Sequence, residues 1–371
     1  MTAADALAAA YRHGPGRVVE TGPAPRPEPA SGPRTPFAAL AARGRFGSAL
    51  THLLTDVVTP LRWEPWNQYN DHRGHPSARA AFTVDVVLAV GSRRWLVDPV
   101  RRVVVGDGSP VPDGSARLEL VRRRDRLAEG YGEFGDALTE LEMGHVAAAL
   151  VEHASRLGLR AHVDGTAVVV SSWRESGRPA GPSPVRGSGF GPRGISADPR
   201  PLPVSALHAF VAAITHPPEG SPVRHDVRHR LAVRNVEGVA DGWYEPAGLR
   251  LVDAGGALDQ VREVFGHPPD TIDVGAMNLA LVTTGDPAAA VAVDGPDGYR
   301  ALLRAAGAAA QHACTAAAGA GMFCRPARST VDGALEAAVR APASHVLLYL
   351  LLAGRPRGTG FSYDLTPLEA R

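Results

Sequence analysis

The sequence contains no lysine, and all 39 of its basic side chains are arginine. This absence excludes a lysine base, a lysine Schiff base and a lysine ammonium as a ligand for phosphate. Cysteine is also scarce: Cys314 and Cys324 are too few for a disulfide framework and form no CxxC pair for zinc or redox chemistry. The longest apolar run, which follows His345, is far shorter than a membrane span.

Composition and charge are those of an ordinary globular protein. Hydrophobic residues make up 44% and charged residues 21% of the 371 positions, and this length suits two domains of about 150–200 residues. The net charge of +1 indicates neither a nucleic-acid nor a membrane partner. The N-terminus lacks the basic and apolar regions of a secretory signal, so we expect a cytoplasmic protein.

Stretches rich in proline and glycine divide the chain. We expect a flexible N-terminal segment over residues 1–33, a first half over 34–173, a linker over 174–203 and a second half over 204–371. The composition of the linker is also compatible with an ordered functional crossover between the halves.

The two halves share one order of elements. Residues 134–163 and 297–326 each have the pattern of a long, largely buried helix that stops at a glycine. When Gly144 is set against Gly307, Gly158 falls on Gly321. A strand-like run ending in Asp precedes each helix, a hairpin with one tryptophan comes before that run, and an apolar strand follows the helix. We therefore predict two diverged copies of one unit.

Four short motifs accompany these elements. In the first half, His75-Pro76-Ser77-Ala78-Arg79 precedes a strand, and Tyr131-Gly132-Glu133 leads to Gly144-His145 in the long helix. The second half has an arginine-containing segment, GPRGISADPRPLPVSAL (191–207), and a hairpin, VRNVEGVADGWYEPAGLRLV (233–252). Together these motifs resemble the nitroreductase superfamily, and within it the SagB/McbC-type flavin oxidases, over most of the chain from about Arg34 onward.

The resemblance implies an α+β fold of antiparallel sheets flanked by helices, here as two nitroreductase-like pseudo-repeats in one chain. It implies FMN at a subunit or pseudo-subunit interface, and hence a homodimer or a pseudo-dimeric monomer. The implied activity is FMN-dependent dehydrogenation of a small-molecule or peptide substrate, peptide-derived or another natural product, with partner biosynthetic enzymes. The alternative is a non-catalytic scaffold or peptide-binding partner in a biosynthetic complex.

The sequence departs from this family at the catalytic pair. The family's Lys-Tyr falls on Gly130-Tyr131, so Tyr131, His145 or water is left as the base. Tyr131 is equally consistent with a half-buried packing residue, and His145 with a core or capping histidine.

A flavin phosphate requires cationic forks and hydroxyl donors. The candidates that the resemblance suggests are Ser77, Arg79, Arg193, Ser196, Ser221, Arg224 and Arg325. The alternative for each of them is a residue with only a structural or solvated role. Because the first half keeps the serine and tyrosine motifs and the second keeps the arginine-bearing segment and hairpin, we predict one composite site built from both halves.

The loop over residues 63–75 interleaves aromatic and amide side chains, which suits recognition of a peptide or a flat ligand. The alternative is an ordered surface loop with buried anchors. His72 and His75 with Asp71 lack a further ligand at suitable spacing, so no metal site is predicted.

Overall fold

A computed structural model describes residues 2–11, 27–65, 67–111, 113–172, 184–189, 191, 194–221, 224, 226–358 and 361–366. Among the helices of these residues, none is both long and apolar enough to cross a membrane.

The first half forms a seven-stranded antiparallel sheet with its helices. The N-terminal helix, Ala3–Ala10 (α1), precedes this half and packs against helices of the second half. The helices of the first half are Phe37–Ala41 (α2), Arg45–Val58 (α3) and Phe134–Arg156 (α4). The strands are Arg34–Pro36 (β1), Arg62–Trp63 (β2), Val84–Val90 (β3), Arg93–Asp98 (β4), Val103–Val105 (β5), Ser115–Arg122 (β6), Leu159–Asp164 (β7) and Ala167–Ser172 (β8). The order in this sheet is β1-β5-β4-β3-β6-β8-β7.

The second half forms a six-stranded sheet. Its helices are Val204–Thr215 (α5), Ala257–Glu263 (α6), Pro287–Asp294 (α7), Gly298–Gly319 (α8) and Asp332–Ala338 (α9). Its strands are Val227–Val233 (β9), Gly242–Glu245 (β10), Arg250–Ala254 (β11), Leu279–Gly285 (β12), Phe323–Ala327 (β13) and Val346–Gly354 (β14). The order is β11-β10-β9-β12-β14-β13, and Tyr363–Asp364 (β15) pairs with β2 of the first half.

The cores of the two sheets have the same strand order. Strands β4-β3-β6-β8-β7 of the first sheet correspond to β10-β9-β12-β14-β13 of the second, with antiparallel pairing throughout. The structure thus confirms the α+β fold of two antiparallel units that the repeated order of elements predicts.

Strand β12 is buried along its whole length because both of its faces are covered. Leu279 and Leu281 belong to the core formed with α5 and α8, whereas Ala280 and Val282 belong to the core formed with α6 and α9. In the first sheet, β6 instead alternates buried and half-buried residues over much of its length. The neighbouring strand β14, which is the apolar run that follows His345, is likewise covered on both faces, because its residues alternate between the same two cores.

The two long helices, α4 and α8, pack against each other and join the halves. They approach most closely at the glycines that the repeat aligns. A Cβ atom on Gly144 would lie 2.0 Å from the carbonyl oxygen of Arg304, and one on Gly307 would lie 2.0 Å from that of Leu141. Only glycine permits this backbone contact at both positions, so the repeat register also marks the helix crossing.

Candidate functional site

A cavity of about 340 Å³ lies between the two halves, within the size range of small-molecule sites. The first half contributes the loop from Asn67 to His72, the segment from Pro76 to Phe82 and the start of α4. The second half contributes the residues from Arg325 to Ser329, and the connecting segment contributes Arg186. The apolar part of the lining includes Phe82, Phe134, Ile195 and Phe265. The cavity is therefore a composite of both halves.

Four arginines line this cavity: Arg79, Arg186, Arg325 and Arg328. Burial lowers the pKa of the Arg325 guanidinium to about 10, and the nearby positive charges of Arg79 and Arg186 add to this effect. Within the described part of the chain, no carboxylate pairs with Arg325. A cluster of like charges in a partly buried site is stabilised by an anion.

Three guanidinium N–H groups of the lining are buried without a hydrogen-bond acceptor among the described residues: Nε of Arg186, and Nε and Nη1 of Arg328. The remaining Arg328 nitrogen, Nη2, donates to Asp332 at 2.9 Å, and its guanidinium lies over the Phe134 ring, 5.2 Å from the centroid. Buried donors without acceptors are costly, and an anionic ligand would supply the missing acceptors.

The backbone of the cavity wall is strained. Asp71, Arg79, Ala80 and Phe82 all adopt left-handed backbone conformations, with φ of 68°, 55°, 54° and 48°, and all four line the cavity. A non-glycine residue in this region costs about 1–3 kcal/mol, and such residues cluster at functional sites. The surrounding packing holds these residues in place and so fixes the direction of the Arg79 side chain.

The loop predicted to bind a ligand is ordered by its own amide side chains. Asn70 accepts from the Glu64 amide at 2.6 Å and donates to its carbonyl at 2.8 Å, while Asn67 donates to the Glu64 carboxylate at 3.0 Å. His72 lies 3.0 Å from the same carboxylate. These contacts hold Tyr69 at the cavity wall, so the loop is both ordered and part of the site.

Tyr131 also lines the cavity, at the end of a short helical turn before α4. Its hydroxyl accepts a hydrogen bond from Nε of Arg79 at 3.4 Å. The same guanidinium lies over the Tyr69 ring, 4.8 Å from the centroid, and donates to the Tyr69 hydroxyl. Arg79 thus ties together two tyrosines on one wall.

Ser77 contributes to a buried hydroxyl–carboxylate cluster. Its hydroxyl donates to Oε2 of Glu142 at 2.6 Å and accepts from the amide of Phe82 at 2.8 Å. Thr83 donates to the same Glu142 oxygen at 2.9 Å. Glu142 is only 3% exposed yet reaches the cavity wall, so this cluster places a carboxylate beside the arginines, in addition to that of Asp71.

His145 lies behind the cavity wall, in the core between the halves. It is fully buried, with Nδ1 3.1 Å from the Gln311 side-chain oxygen and Nε2 3.2 Å from the Tyr349 hydroxyl. Burial lowers its pKa well below the usual value. It reaches the cavity only through Tyr349, which matches the alternative of a hydrogen-bonded core histidine.

The other predicted phosphate ligands are not brought into this cavity. Ser196 does not line it, and Ser221 lies 3.0 Å from Nε2 of His312 elsewhere in the fold. Arg224 forms ion pairs with Asp226, at 2.6 Å, and with Asp294. Its positive charge is therefore already balanced. Arg193 lies outside the described residues.

Arg224 lines a second cavity, of about 300 Å³. Several of its lining residues stand 163 positions from residues of the first cavity, the spacing that separates Gly144 from Gly307. The pairs are Leu138 with Ala301, Pro326 with Val163, Arg328 with Gly165 and Ser329 with Thr166. The second cavity is therefore the pseudo-symmetric counterpart of the first.

Three residues that line the cavity are not predicted from the sequence: Arg186, Arg328 and Glu142. Arg186 falls in the proline- and glycine-rich stretch, where no periodicity indicates structure. Arg328 stands three residues after the predicted Arg325 on an extended strand exit. Glu142 lies two residues before Gly144 of the Gly144-His145 motif. A carboxylate among the apolar neighbours of a buried helix was the sequence signal that could have identified it.

No protein-family model matches the sequence, and no curated protein matches it. The solved structures identify the class of fold: it is that of the nitroreductases, as the resemblance predicted. A nitroreductase-like protein from Anabaena variabilis superposes with a TM-score of 0.73 at 14% identity, over 96% of this chain and 99% of that one. Both halves are therefore present in a single relative.

Two further structures match about half of the chain. The E. coli microcin synthetase McbBCD complex with a truncated pro-microcin bound matches with a TM-score of 0.38 at 18% identity, over 51% of this chain and 79% of that one. A nitroreductase-like protein from Ralstonia eutropha matches with a TM-score of 0.36 at 18% identity, over 50% of this chain and 88% of that one.

Proposed function

We propose that the chain is an FMN-dependent oxidoreductase that dehydrogenates a peptide-derived or other natural-product substrate in the composite cavity. The observation that carries the proposal is the set of arginines in that cavity. Among the described residues Arg325 has no carboxylate partner, and buried N–H groups of Arg186 and Arg328 have no acceptor. Together with an apolar, partly aromatic wall, they suit a ligand that is flat at one end and anionic at the other.

The residues present fit FMN. Arg325, Arg328 and Arg186 would hold the phosphate. In the described chain Arg325 has no carboxylate partner, and Nε of Arg186 and Nε and Nη1 of Arg328 have no acceptor. Phe82, Phe134 and Phe265 would cover a ring system and exclude water. Bound FMN supplies an acceptor for a hydride. The protein's task is then to orient the substrate, for which Tyr69 and Tyr131, both tied to Arg79, are the groups at hand.

The predicted pseudo-dimeric monomer is part of this proposal. Because α4 and α8 of one chain join the halves and the cavity draws on both, a single chain contains every residue of the site named above. Partner biosynthetic enzymes, if they associate, are not needed to complete the cavity.

The proposal is tested by flavin binding. The purified chain is incubated with FMN or riboflavin and desalted, and bound flavin is followed by its visible absorbance and by fluorescence titration. We expect R325M to weaken FMN binding about 10- to 100-fold, as expected for a lost charge-assisted hydrogen bond, and to leave riboflavin binding unchanged. R224M is the matched control, since Arg224 is balanced by two aspartates.

A chain that stays colourless after incubation would refute the proposal and favour the non-catalytic scaffold. Equal effects of R325M and R224M would refute the assignment of Arg325 to the phosphate.

A further inference from the structure

Two buried side chains in the cavity region, Glu142 and His75, face each other at a distance too long for a hydrogen bond. Nε2 of His75 lies 3.7 Å from Oε1 of Glu142, and neither atom has a hydrogen-bond partner among the described residues. Nδ1 of His75 lies 3.0 Å from the carbonyl oxygen of Val57. Because a carbonyl only accepts, Nδ1 carries the ring hydrogen, and Nε2 of the neutral ring is an acceptor.

The other Glu142 oxygen is already satisfied. Oε2 accepts from the hydroxyls of Ser77 and Thr83, at 2.6 and 2.9 Å. Oε1 therefore presents lone pairs to the lone pair of His75 Nε2, and both atoms are buried. One added proton, with an approach of the two atoms from 3.7 Å to hydrogen-bonding distance, would turn this contact between two acceptors into a charge-assisted hydrogen bond. The pair can therefore accept one proton, and its Glu142 side chain lines the cavity.

The positive charge of Arg73 favours the form of the pair in which no proton is shared between Glu142 and His75. Buried Arg73 lies with its guanidinium 3.6 Å from the Phe82 ring centroid and interacts with the Glu142 carboxylate. Burial lowers the pKa of His75, and Arg73 opposes its protonation, while Glu142 favours it. The other charged or titratable groups around the pair are Asp71, Asp85, Arg126, His145, Arg186 and Tyr349.

We infer that Glu142 is the proton acceptor of the cavity and that His75 is the positioning residue that shares the proton it receives. The inference rests on the proposed function for its substrate. In the dehydrogenation of a thiazoline ring, the C–H bond of the carbon next to the ring nitrogen breaks, its hydrogen leaves as a proton, and its electron pair forms the new double bond. The neighbouring carbon would lose its hydrogen as a hydride, with two electrons, for which bound FMN would supply the acceptor. The proton adds to the Glu142 carboxylate and is held between Oε1 and His75 Nε2. This gives the lysine-free chain a base.

The first test needs no flavin. The full chain is labelled with ¹⁵N in its 14 histidine rings, and the His75 signals are identified by their loss in H75N. Long-range proton–nitrogen spectra are recorded across a pH series. We expect a bare Nε2 at neutral pH that gains a proton on acidification. In E142Q the amide can donate to Nε2, so the ring should gain its proton only at lower pH.

The second test measures turnover of the FMN-loaded chain, with a thiazoline-containing peptide as the probe. E142Q should slow its oxidation at least about 100-fold through kcat with little change in KM, as expected for loss of a general base. Dithionite should reduce the bound flavin of E142Q as it does that of the unmodified chain. The matched control is E152Q: Glu152 lies on α4, as Glu142 does, and pairs with His312 of α8 at 3.5 Å, away from this cavity.

The outcomes separate the two proposals. An Nε2 that already carries hydrogen at neutral pH, or a His75 titration that E142Q leaves unchanged, overturns the proton-accepting pair. Unimpaired peptide oxidation by E142Q overturns it as well. If the unmodified chain binds no flavin while the His75 signals behave as expected, the proposed function fails and the proton-accepting pair is supported.

Discussion

Replacing Gly307 with alanine should destabilise the protein by about 2 kcal/mol. The added Cβ would lie 2.0 Å from the carbonyl oxygen of Leu141, with the carbonyl carbon at 2.9 Å. The obstacle is backbone, which cannot rotate away, so α4 and α8 must separate by about 1 Å. A gap of this size loses a quarter to a half of the dispersion energy of the contacts it opens.

The magnitude combines two opposing effects. Overpacking of a close-packed contact costs about 1–3 kcal/mol, and the upper part of that range applies because backbone is the obstacle. Alanine gains about 0.5–1 kcal/mol over glycine in a helix interior. Gly319, the last residue of the same helix, is a control without the overpacking: it is exposed, and the nearest atom to its Cβ would be Cγ of Pro184 at 3.9 Å. G319A should therefore be neutral or stabilising by up to about 1 kcal/mol.

The assay is urea unfolding followed by far-UV circular dichroism, with free energies of unfolding from linear extrapolation. G144A should resemble G307A, because each places a Cβ in the same crossing, and the double variant should cost less than the sum of the two. A G307A protein as stable as the unmodified chain would refute the close approach. G307A should also bind FMN more weakly, because α4 carries Glu142 and α8 leads into β13 with Arg325.

Two further predictions concern acid stability and flavin stoichiometry. Burial would raise the pKa of Glu64, but hydrogen bonds from His72 and Asn67 outweigh it and lower the pKa to about 2 from 4.5. The resulting stabilisation, about 3 kcal/mol, should be present above pH 4.5 and lost as the pH falls through 2, so urea unfolding of E64Q across this window should depend less on pH. Flavin titration should saturate at one FMN per chain, since Arg224 of the second cavity is balanced by aspartates; binding of a second FMN would contradict this.

The sequence predicts the parts of this fold that local pattern determines. The apolar run of β14 and the small residues of α4 and α8 are visible as periodicity, and the repeat register is fixed by glycines that stop helices: Gly158 and Gly321 both have φ of +71°. The function of an arginine is not visible in this way. Arg79 and Arg224 look equivalent in their motifs, yet only the folded chain brings distant Asp294 to Arg224 and leaves Arg79 at the cavity wall.

The divergence of the two halves gives the two cavities different charged residues. At the offset of 163 that aligns the helix crossing, Arg328 corresponds to Gly165 and Glu142 corresponds to Ala305. The second cavity therefore has no counterpart of the guanidinium that we propose to hold the phosphate, or of the carboxylate that we infer to accept a proton. Both positions hold small residues: Ala305 is buried, and Gly165 lies in the turn between β7 and β8. Both copies keep their fold because the crossing of α4 and α8 depends on Gly144 and Gly307, which the divergence leaves in place.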